Sequence, residues 1–449
     1  MDGELKKKYG LMTAIAMVVG IVIGSGVFFK AEKILTATGG DLALGILSWI
    51  IGGLIMIICA YTFSIMATKY EYVNGLVDYA DVTMGKKYGY YIGWFMATVY
   101  YPAITSVLAW VSARYTCVLL GFSIVGAECM IIAGFYLIAS YAVNALSPVA
   151  AGKFQVSTTV IKLIPLLLMA VIGTIAGLTN GMTVENFTTV VVPVEKSAAL
   201  FTAVVASAFA YEGWIVATSI NAELRDAKKN LPKALLFGTI IVIVVYILYY
   251  VGLAGGISNA EMMQNGEEGA KAAFTKIFSN VGGTLLFVFV VISCLGTLNG
   301  LMLGCTRGMY SLAARNVGPR PDIFKQVDSG TNMPANSSIF GLLLCSFWLL
   351  YFYGANLTES WFGPLSFDSS ELPIVTLYAA YIPIFFRLMK NEKELSFGKR
   401  FFIPTLAILG SIFMVVAAIF AHGIAVAWYL LLFAIIMTIG SFFNQPKRI

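Results

Sequence analysis

The stretch Val18–Lys30, VVGIVIGSGVFFK, decides the fold because it places three glycines and a serine inside an apolar segment. Glycine weakens a helix interior, and lipid offers no partner to an unpaired backbone group. A membrane span tolerates such a composition in two situations. Either the small residues allow another helix to pack closely, or the chain leaves the helical path beside a protected cavity.

The composition of the whole chain excludes a soluble globular protein. Hydrophobic residues make up 59% of the 449 residues and charged residues 12%, against the roughly 25% charged residues of soluble domains. Apolar stretches of about 20 residues recur, each long enough to cross a bilayer as a helix. The sequence predicts an all-α polytopic membrane protein whose twelve spans lie at roughly 10–35, 42–66, 88–121, 129–147, 156–178, 198–221, 233–256, 281–308, 337–354, 371–389, 401–421 and 424–443.

The basic residues predict the topology. With the N-terminus inside, most of the 29 lysines and arginines fall in cytoplasmic segments, and the outer loops hold only Lys30, Lys33, Lys196, Lys271 and Lys276. The positive-inside rule therefore places both termini in the cytoplasm, with MDGELKKKYG as a retained tail. The same bias accounts for the net charge of +6, so we expect no nucleic-acid partner.

The scarcity of metal-binding side chains argues against an intramembrane metalloenzyme. The six cysteines have no paired spacing and are expected to be buried thiols. His422, the single histidine, is predicted to lie in the turn between the last two spans. No nucleophile–base set and no metal-ligand cluster is visible, so we expect no enzymatic activity, no metal and no cofactor.

Two breaks recur at a spacing of five spans. Span 1 is interrupted by GSG, and span 6 by YEG at Tyr211–Gly213. Interrupted helices at matching positions of two halves are typical of transporters with inverted repeats and a midplane site. The sequence predicts one membrane domain over residues 1–449. Its helices 1–5 (1–180) and 6–10 (198–390) are the two repeats, and helices 11–12 (400–445) are additions.

The first break offers groups that match the head of an amino acid. Glycines at 24 and 26 would let the amides of Ser25, Gly26 and Val27 point into a cavity at a helix start, which favours a carboxylate. The carbonyl of Val22, at the end of the preceding half-helix, suits an ammonium group. The alternative is that these small residues only permit close helix packing.

The second break adds an acid and aromatic rings. Glu212 lies within an apolar span, where acidic residues are rare and usually functional. A break here would expose the carbonyls of Phe209 and Glu212, and Phe209 and Tyr211 could cover a ligand. The alternatives are ordinary packing for the two aromatic residues and, for Glu212, a satisfied buried acid that joins two helices.

Spans 3, 5 and 8 contribute further candidates. Lys162 lies too deep in span 5 to reach either interface, so it should face a polar interior and place an ammonium where sodium would otherwise bridge helices. Its expected partners are carbonyls of span 1 and the hydroxyls of Ser293 or Thr297, although a purely structural lysine remains open. Pro165 should kink the span. In span 3, Tyr100 and Tyr101 would lie beside the site, with aromatic packing as the alternative.

Five motifs in order resemble the amino acid–polyamine–organocation superfamily, and within it the bacterial relatives of the L-type amino acid transporters. They are VIGSGVF (Val22–Phe28), FAYEGW (Phe209–Trp214), AELRDAKKNLPKAL (Ala222–Leu235), GTLNGLMLGCTRGMYSLAARN (Gly296–Asn316) and MPANSS (Met333–Ser338). The resemblance spans nearly the whole chain. It implies a LeuT-type fold, which is a 5+5 inverted repeat with discontinuous helices 1 and 6. It also implies a transporter that works by alternating access in the cell membrane, here a bacterial inner membrane.

The resemblance also implies roles for single residues. The substrate carboxylate would bind the amides of Ser25 and Gly26, and the amine would bind the carbonyls of Val22, Phe209 and Glu212. The ring of Phe209 would form the inner face of the outer gate, with Trp214 among the residues of the gate and side-chain pocket. Lys162 matches the family lysine that stands in for sodium.

Three departures from the family pattern matter. The loop after span 2, TKYEYVNGLVDYA, keeps only Gly75 of the usual proline and glycines. Glu212 is absent from many L-type members and leaves a proton-linked mechanism open. Cys117 and Cys129 flank the outer loop through which eukaryotic members bond to a glycoprotein subunit, but neither lies clearly inside it, so we expect no obligatory heavy subunit.

The function expected from the sequence is sodium-independent transport, by exchange, of small to medium neutral L-amino acids. The pocket region is rich in Ala, Ser, Thr and Gly, with Glu212 as the only nearby charge. The alternative is a proton-coupled transporter of amino acids or amines that uses Glu212. A membrane sensor or channel on the same scaffold is the remote alternative.

Overall fold

The computed structural model describes residues 10–70, 75–215, 224–358 and 361–444, and within these ranges it contains helices and no β-strand. The α-helices are α1 (Leu11–Val22), α2 (Gly26–Ala37), α3 (Leu42–Lys69), α4 (Leu76–Met84), α5 (Lys86–Phe95), α6 (Tyr101–Leu120), α7 (Ala127–Leu146), α8 (Pro148–Ile161), α9 (Leu163–Leu168), α10 (Thr174–Thr179), α11 (Met182–Thr188), α12 (Lys196–Ala210), α13 (Ala227–Ala254), α14 (Asn259–Asn265), α15 (Glu267–Ala313), α16 (Pro321–Phe324), α17 (Ala335–Phe352), α18 (Leu372–Asn391), α19 (Ile403–His422) and α20 (Ala425–Ser441).

The prediction of an all-helical polytopic membrane protein is confirmed. In the described part of the chain, nine helical stretches are long and apolar enough to cross a bilayer, and they coincide with predicted spans 2–5 and 7–11. The remaining three predicted spans correspond to shorter apolar helices, Leu11–Gly20, Lys196–Ala210 and Ala425–Ser441. Leu11–Gly20 and Lys196–Ala210 are short because the helical path is interrupted at the two predicted breaks, GSG and YEG.

Helix starts follow local capping chemistry. Asp41 accepts a hydrogen bond from the backbone N–H of Leu44 and so begins α3. Glu195 accepts from the N–H groups of Ser197 and Ala198 at the start of α12. Each carboxylate satisfies an N–H group that has no partner inside its own helix. The hydroxyl of Ser197 also donates to Glu195, and this bond, together with the two from the N–H groups, holds the pKa of Glu195, which lies in the loop before the span, below its usual range.

Several spans are not regular α-helices. π-helical turns occur at Met96–Tyr100, Met169–Gly173, Tyr353–Leu357 and Gly398–Phe402. α15 bends at Ser279, whose φ of 68° lies in the left-handed region. The residues just before this bend, EEGAKAAFTKIF, are helical, and those after it contain predicted span 8.

The chain divides into two compact units that are interleaved in sequence. Unit 1 comprises Met1–Gly89, Thr189–Tyr250 and Ile374–Ala421, and unit 2 comprises Tyr90–Thr188, Val251–Pro373 and His422–Ile449. The core of unit 1 is rich in fully buried aromatic rings, among them Trp49, Phe63, Tyr79, Tyr211, Trp214, Tyr246 and Tyr381.

Unit 2 is built around α15. A Cβ added at Gly304 would lie 2.8 Å from the ring of Tyr101 on α6, and one at Gly308 would lie 3.0 Å from Ala97. Gly341 of α17 packs directly on the carbonyl of Cys305. Small residues thus let the helices approach closely, as is usual where lipid provides no hydrophobic drive for association.

All six cysteines are free and buried, as predicted. His422, predicted in the turn between the last two spans, is instead the last residue of α19, directly before that turn, and its Nε2 lies 3.1 Å from Oε2 of Glu371. Several predicted features fall in residues outside the described ranges: the N-terminal tail (1–9), part of the loop after span 2 (71–74) and the end of span 6 with the start of AELRDAKKNLPKAL (216–223).

Candidate functional site

The first break separates α1 from α2. α1 ends at Val22, Ile23 is extended with ψ of 107°, and α2 begins at Gly26 with Ser25 as its N-cap residue. The first N–H groups of a helix have no intrahelical acceptor, so the start of α2 offers amides to an anion. The last carbonyls of α1 are likewise outside the helical pattern.

The second break follows α12. This helix ends at Ala210, Tyr211–Gly213 form a turn, and Gly213 has a φ of 103° that a residue with a side chain rarely adopts. The backbone N–H of Glu212 lies 3.4 Å from the carbonyl oxygen of Phe209, a long hydrogen bond. Glu212 itself is partly exposed.

The two breaks meet inside unit 1. A Cβ added at Gly26 would lie 2.5 Å from Cα of Ala210 and 3.2 Å from the carbonyl oxygen of Phe209. No real side chain tolerates the first distance, so the start of α2 and the end of α12 touch backbone to backbone. The glycines of VVGIVIGSGVFFK therefore permit close packing, and the chain also leaves the helical path there. A ligand cavity beside the break stays a prediction.

Tyr246 of α13 joins the two breaks and was not singled out from the sequence. Its buried hydroxyl lies 3.2 Å from the carbonyl oxygen of Val22 and 3.1 Å from that of Ala210. One side chain thus satisfies backbone groups that both breaks release. Within the apolar run IVIVVYILYY nothing marks this tyrosine apart from its neighbours.

The other aromatic candidates of span 6 are packed in the core of unit 1. Tyr211 donates a hydrogen bond to the carbonyl of Trp49 at 2.9 Å, and its ring stacks on that of Tyr246 at 5.3 Å between centroids. Trp214 is fully buried between Phe63 and Tyr381. These contacts are those expected from the packing alternative.

Lys30 corrects one assignment made from the sequence. It was counted among the basic residues of the outer loops, but it lies within α2 and is 0% exposed. Its Nζ lies 4.9 Å from the ring centroid of Phe29 and 4.9 Å from that of Phe209. Sequence position near the predicted end of span 1 gave no sign of this burial.

The remaining candidates lie in unit 2. Lys162 is 4% exposed and occupies the turn between α8 and α9, where span 5 is interrupted. Pro165 supplies the reason, because it has no N–H to bond the carbonyl of Ile161. On α15, Ser293 is buried and its carbonyl accepts a hydrogen bond from Thr297 at 3.1 Å.

α8 and α15 approach each other closely near these hydroxyls, since a Cβ at Gly296 would collide with Thr158. Tyr100 ends the first π-helical turn and is buried, with its ring 5.4 Å from that of Tyr101. Tyr101 is partly exposed and packs over Gly304. The site candidates are therefore distributed over both units: the two breaks belong to unit 1, and the lysine, the hydroxyls and this tyrosine pair belong to unit 2.

A charged cluster at one end of unit 1 was also missed. Lys69, at the end of α3, pairs with Glu392 and with Glu394, the latter at 2.7 Å, and the hydroxyl of Tyr70 donates to Glu392 at 2.5 Å. The hydrogen bond from Lys69 holds the pKa of Glu394 below its usual range. The cluster adjoins the loop after span 2, whose sequence keeps only Gly75 of the family pattern.

The chain is similar to amino acid permeases along nearly its whole length. The profile of the amino acid permease family matches residues 9–442. The serine/threonine exchanger SteT of Bacillus subtilis is 29% identical over 425 residues, covering 92% of this chain and 91% of its own. The human cystine/glutamate transporter is 23% identical over 426 residues, which is 93% of this chain and 81% of its own.

A third relative, the human large neutral amino acids transporter small subunit 2, is 25% identical over 348 residues, covering 74% of this chain and 62% of its own. The match of the family profile to nearly the entire chain agrees with the five motifs. It also excludes an enzyme, because the family and these relatives are transporters. The chain belongs to the amino acid permease family of the amino acid–polyamine–organocation superfamily and resembles its L-type members.

Proposed function

We propose that this amino acid permease is a sodium-independent exchanger of small to medium neutral L-amino acids that works by alternating access. The observation that carries the proposal is the meeting of two helix breaks in unit 1, where Gly26 touches Ala210. The amides at the start of α2 meet the carbonyls at the end of α12 there, since a Cβ at Gly26 would lie 3.2 Å from the carbonyl oxygen of Phe209. A zwitterionic amino acid head carries the two complementary charges.

In the proposed pose the substrate carboxylate binds the amides of Ser25, Gly26 and Val27. The ammonium group binds the carbonyls of Val22, Phe209 and Glu212. The carbonyl of Val22 already accepts from Tyr246, but a carbonyl oxygen has two lone pairs and can accept a second donor. The aromatic candidates Tyr100, Tyr101, Tyr211 and Trp214 are proposed to shape the gate and the side-chain pocket.

The architecture proposed is the LeuT-type 5+5 inverted repeat with twelve spans. The division of the chain supports it for the first four spans of each predicted repeat, which are divided alike. Spans 1 and 2 and spans 6 and 7 fall in unit 1, whereas spans 3 and 4 and spans 8 and 9 fall in unit 2. The fifth members differ, because span 5 falls in unit 2 and span 10 in unit 1. The bias of basic residues supports cytoplasmic termini.

Sodium independence rests on Lys162, a buried cation at the interruption of span 5. We assign it a coupling role, with the hydroxyls of Ser293 and Thr297 as partners, because a fixed ammonium can occupy the place of a bound cation. Exchange is supported by the name of SteT, a serine/threonine exchanger. We further propose that no heavy subunit is obligatory, since Cys117 and Cys129 are both buried.

The test is exchange in proteoliposomes. Vesicles are loaded with unlabelled L-serine or left empty, and uptake of radiolabelled L-serine is followed with choline in place of sodium. We expect uptake to be accelerated by internal serine and unaffected by the removal of sodium. Uptake that ignores internal serine and follows an imposed proton gradient would reject the exchanger in favour of a proton-coupled transporter.

The second candidate, proton coupling, is favoured by one observation. Glu212 lies in the turn of the second break and is partly exposed. A carboxylate at a helix break can take up and release a proton during transport. Glu212→Gln separates the candidates: exchange of L-serine should persist if the exchanger is correct, and gradient-driven accumulation should vanish if Glu212 carries the proton.

A further inference from the structure

Lys30 lies on the same helix face as Gly26. The two residues are four apart on α2, so Lys30 stands about one turn beyond the point where α2 touches the end of α12. Its side chain is completely buried. A buried lysine in a membrane protein is costly and is retained where its charge has a use.

The Lys30 ammonium group occupies a notch between two aromatic rings. The rings of Phe29 and Phe209 meet edge to face, with centroids 5.7 Å apart and planes at 73°. Nζ of Lys30 lies 4.9 Å from each centroid. The face of an aromatic ring carries negative charge density, and its attraction for a cation grows when water is excluded.

We propose that Lys30 is a positioning residue that holds the ring of Phe209 in place by a cation–π contact and thereby keeps the proposed outer gate closed over a bound amino acid. The inference rests on the proposed function, in which Phe209 is the gate ring. Phe209 belongs to the last turn of α12, next to the second break. Lys30 belongs to α2, which starts at the first break. The contact therefore joins α2 to α12. It lies about one helical turn away from the proposed substrate position.

The experiment weakens the cation–π contact in steps while the gate ring keeps nearly the same size. Phe209 is replaced in the full-length chain by mono-, di- and trifluorinated phenylalanine through amber suppression, because each fluorine removes negative charge density from the ring face. KM and kcat for external L-serine are measured in proteoliposomes. We expect KM to rise stepwise, by about tenfold at the trifluorinated ring, while kcat stays constant or rises.

Two controls isolate the role of the charge. In the Lys30→Met variant, which keeps a side chain of similar length, the fluorine series at Phe209 should leave KM flat. The same series at Phe28, a residue of α2 whose ring packs edge to face on Tyr249 at 5.3 Å, should also leave KM flat. Lys30→Arg, which keeps a cation, should restore the slope at Phe209.

Melting temperatures of the same purified variants separate this inference from the proposed function. A protein that transports no L-serine overturns the proposed substrate, yet its melting temperature still reports whether the contact depends on the charge. A flat series at Phe209 in both KM and melting temperature overturns the contact. If the melting temperature changes with the number of fluorines at Phe209 but KM does not, Lys30 is merely structural and the positioning role is overturned. If KM rises equally with each added fluorine in the unmodified chain and in Lys30→Met, the positioning role is overturned as well.

Discussion

The two breaks of unit 1 look alike in sequence but are made differently. At the first break, Ile23 is extended and Gly26 has no positive φ. A glycine is needed at position 26 because Ala210 leaves no room for a Cβ. At the second, Gly213 is needed for its φ of 103°. The first break depends on the approach of another helix, and the second depends on its own backbone. Substitutions that add a Cβ should therefore fail for different reasons at the two places.

The largest effect is expected for Gly26→Val. Its side chain must push α2 away from α12, which we expect to abolish amino acid binding and to lower the free energy of unfolding by about 1–3 kcal/mol. Binding is measured by thermal shift over the twenty amino acids on purified protein. The matched control is Gly134→Val, because a Cβ at Gly134 meets nothing within 4 Å. Retained affinity in Gly26→Val would contradict the proposed carboxylate site.

Lys162→Ala should have the next largest effect. If this lysine couples helices across the transport cycle, its loss should lower exchange turnover by about 100-fold, the upper range of typical coupling energies, while part of the binding remains. Turnover is measured by L-serine counterflow and binding by thermal shift. Lys153→Ala, at an exposed lysine on the preceding helix, is the control. Normal counterflow in Lys162→Ala would leave Lys162 a structural residue.

Tyr246→Phe tests whether the two breaks act as one site. The change removes only the hydroxyl that touches both released carbonyls, so we expect about a tenfold loss in L-serine exchange, equivalent to roughly 1.4 kcal/mol. Counterflow measures this loss. Tyr141→Phe, on a partly exposed face of α7, serves as the matched change. An unaltered rate would show that the breaks function without this bridge.

The smallest effect is expected for Gly213→Ala. A Cβ at a φ of 103° strains the turn by roughly 1 kcal/mol or more without closing the contact between α2 and α12. We expect a lower melting temperature and a modest loss of exchange, with binding preserved. A complete loss of binding, as in Gly26→Val, would erase the distinction between the two breaks.

Both breaks were predictable from sequence because glycine within an apolar span is costly without a purpose. The helical class and most span positions followed from hydropathy alone, and the kink at Lys162 followed from Pro165. These features depend on local chemistry: side chains that lipid tolerates, and a proline that lacks an N–H.

The residues that sequence reasoning missed depend on contacts between distant segments. Tyr246 is one of several tyrosines in an apolar run, and only the fold brings its hydroxyl to Val22 and Ala210. Lys30 stands near a predicted helix end, where a lysine ordinarily reaches water. Its burial follows from the rings of Phe29 and Phe209, and the second of these is far away in sequence.

The π-helical turn Met96–Tyr100 constrains how the protein can change in length. A π-helical turn holds one more residue between bonded groups than an α-helical turn, and each residue of an α-helix advances by about 100°. Deleting one residue there would return the turn to α geometry without rotating the residues after it, whereas a deletion in α5 would rotate Tyr101 and the rest of α6 by about that angle, away from Gly304. Within this span a one-residue deletion should therefore be accepted at the π-helical turn and not in the α-helical stretches on either side of it.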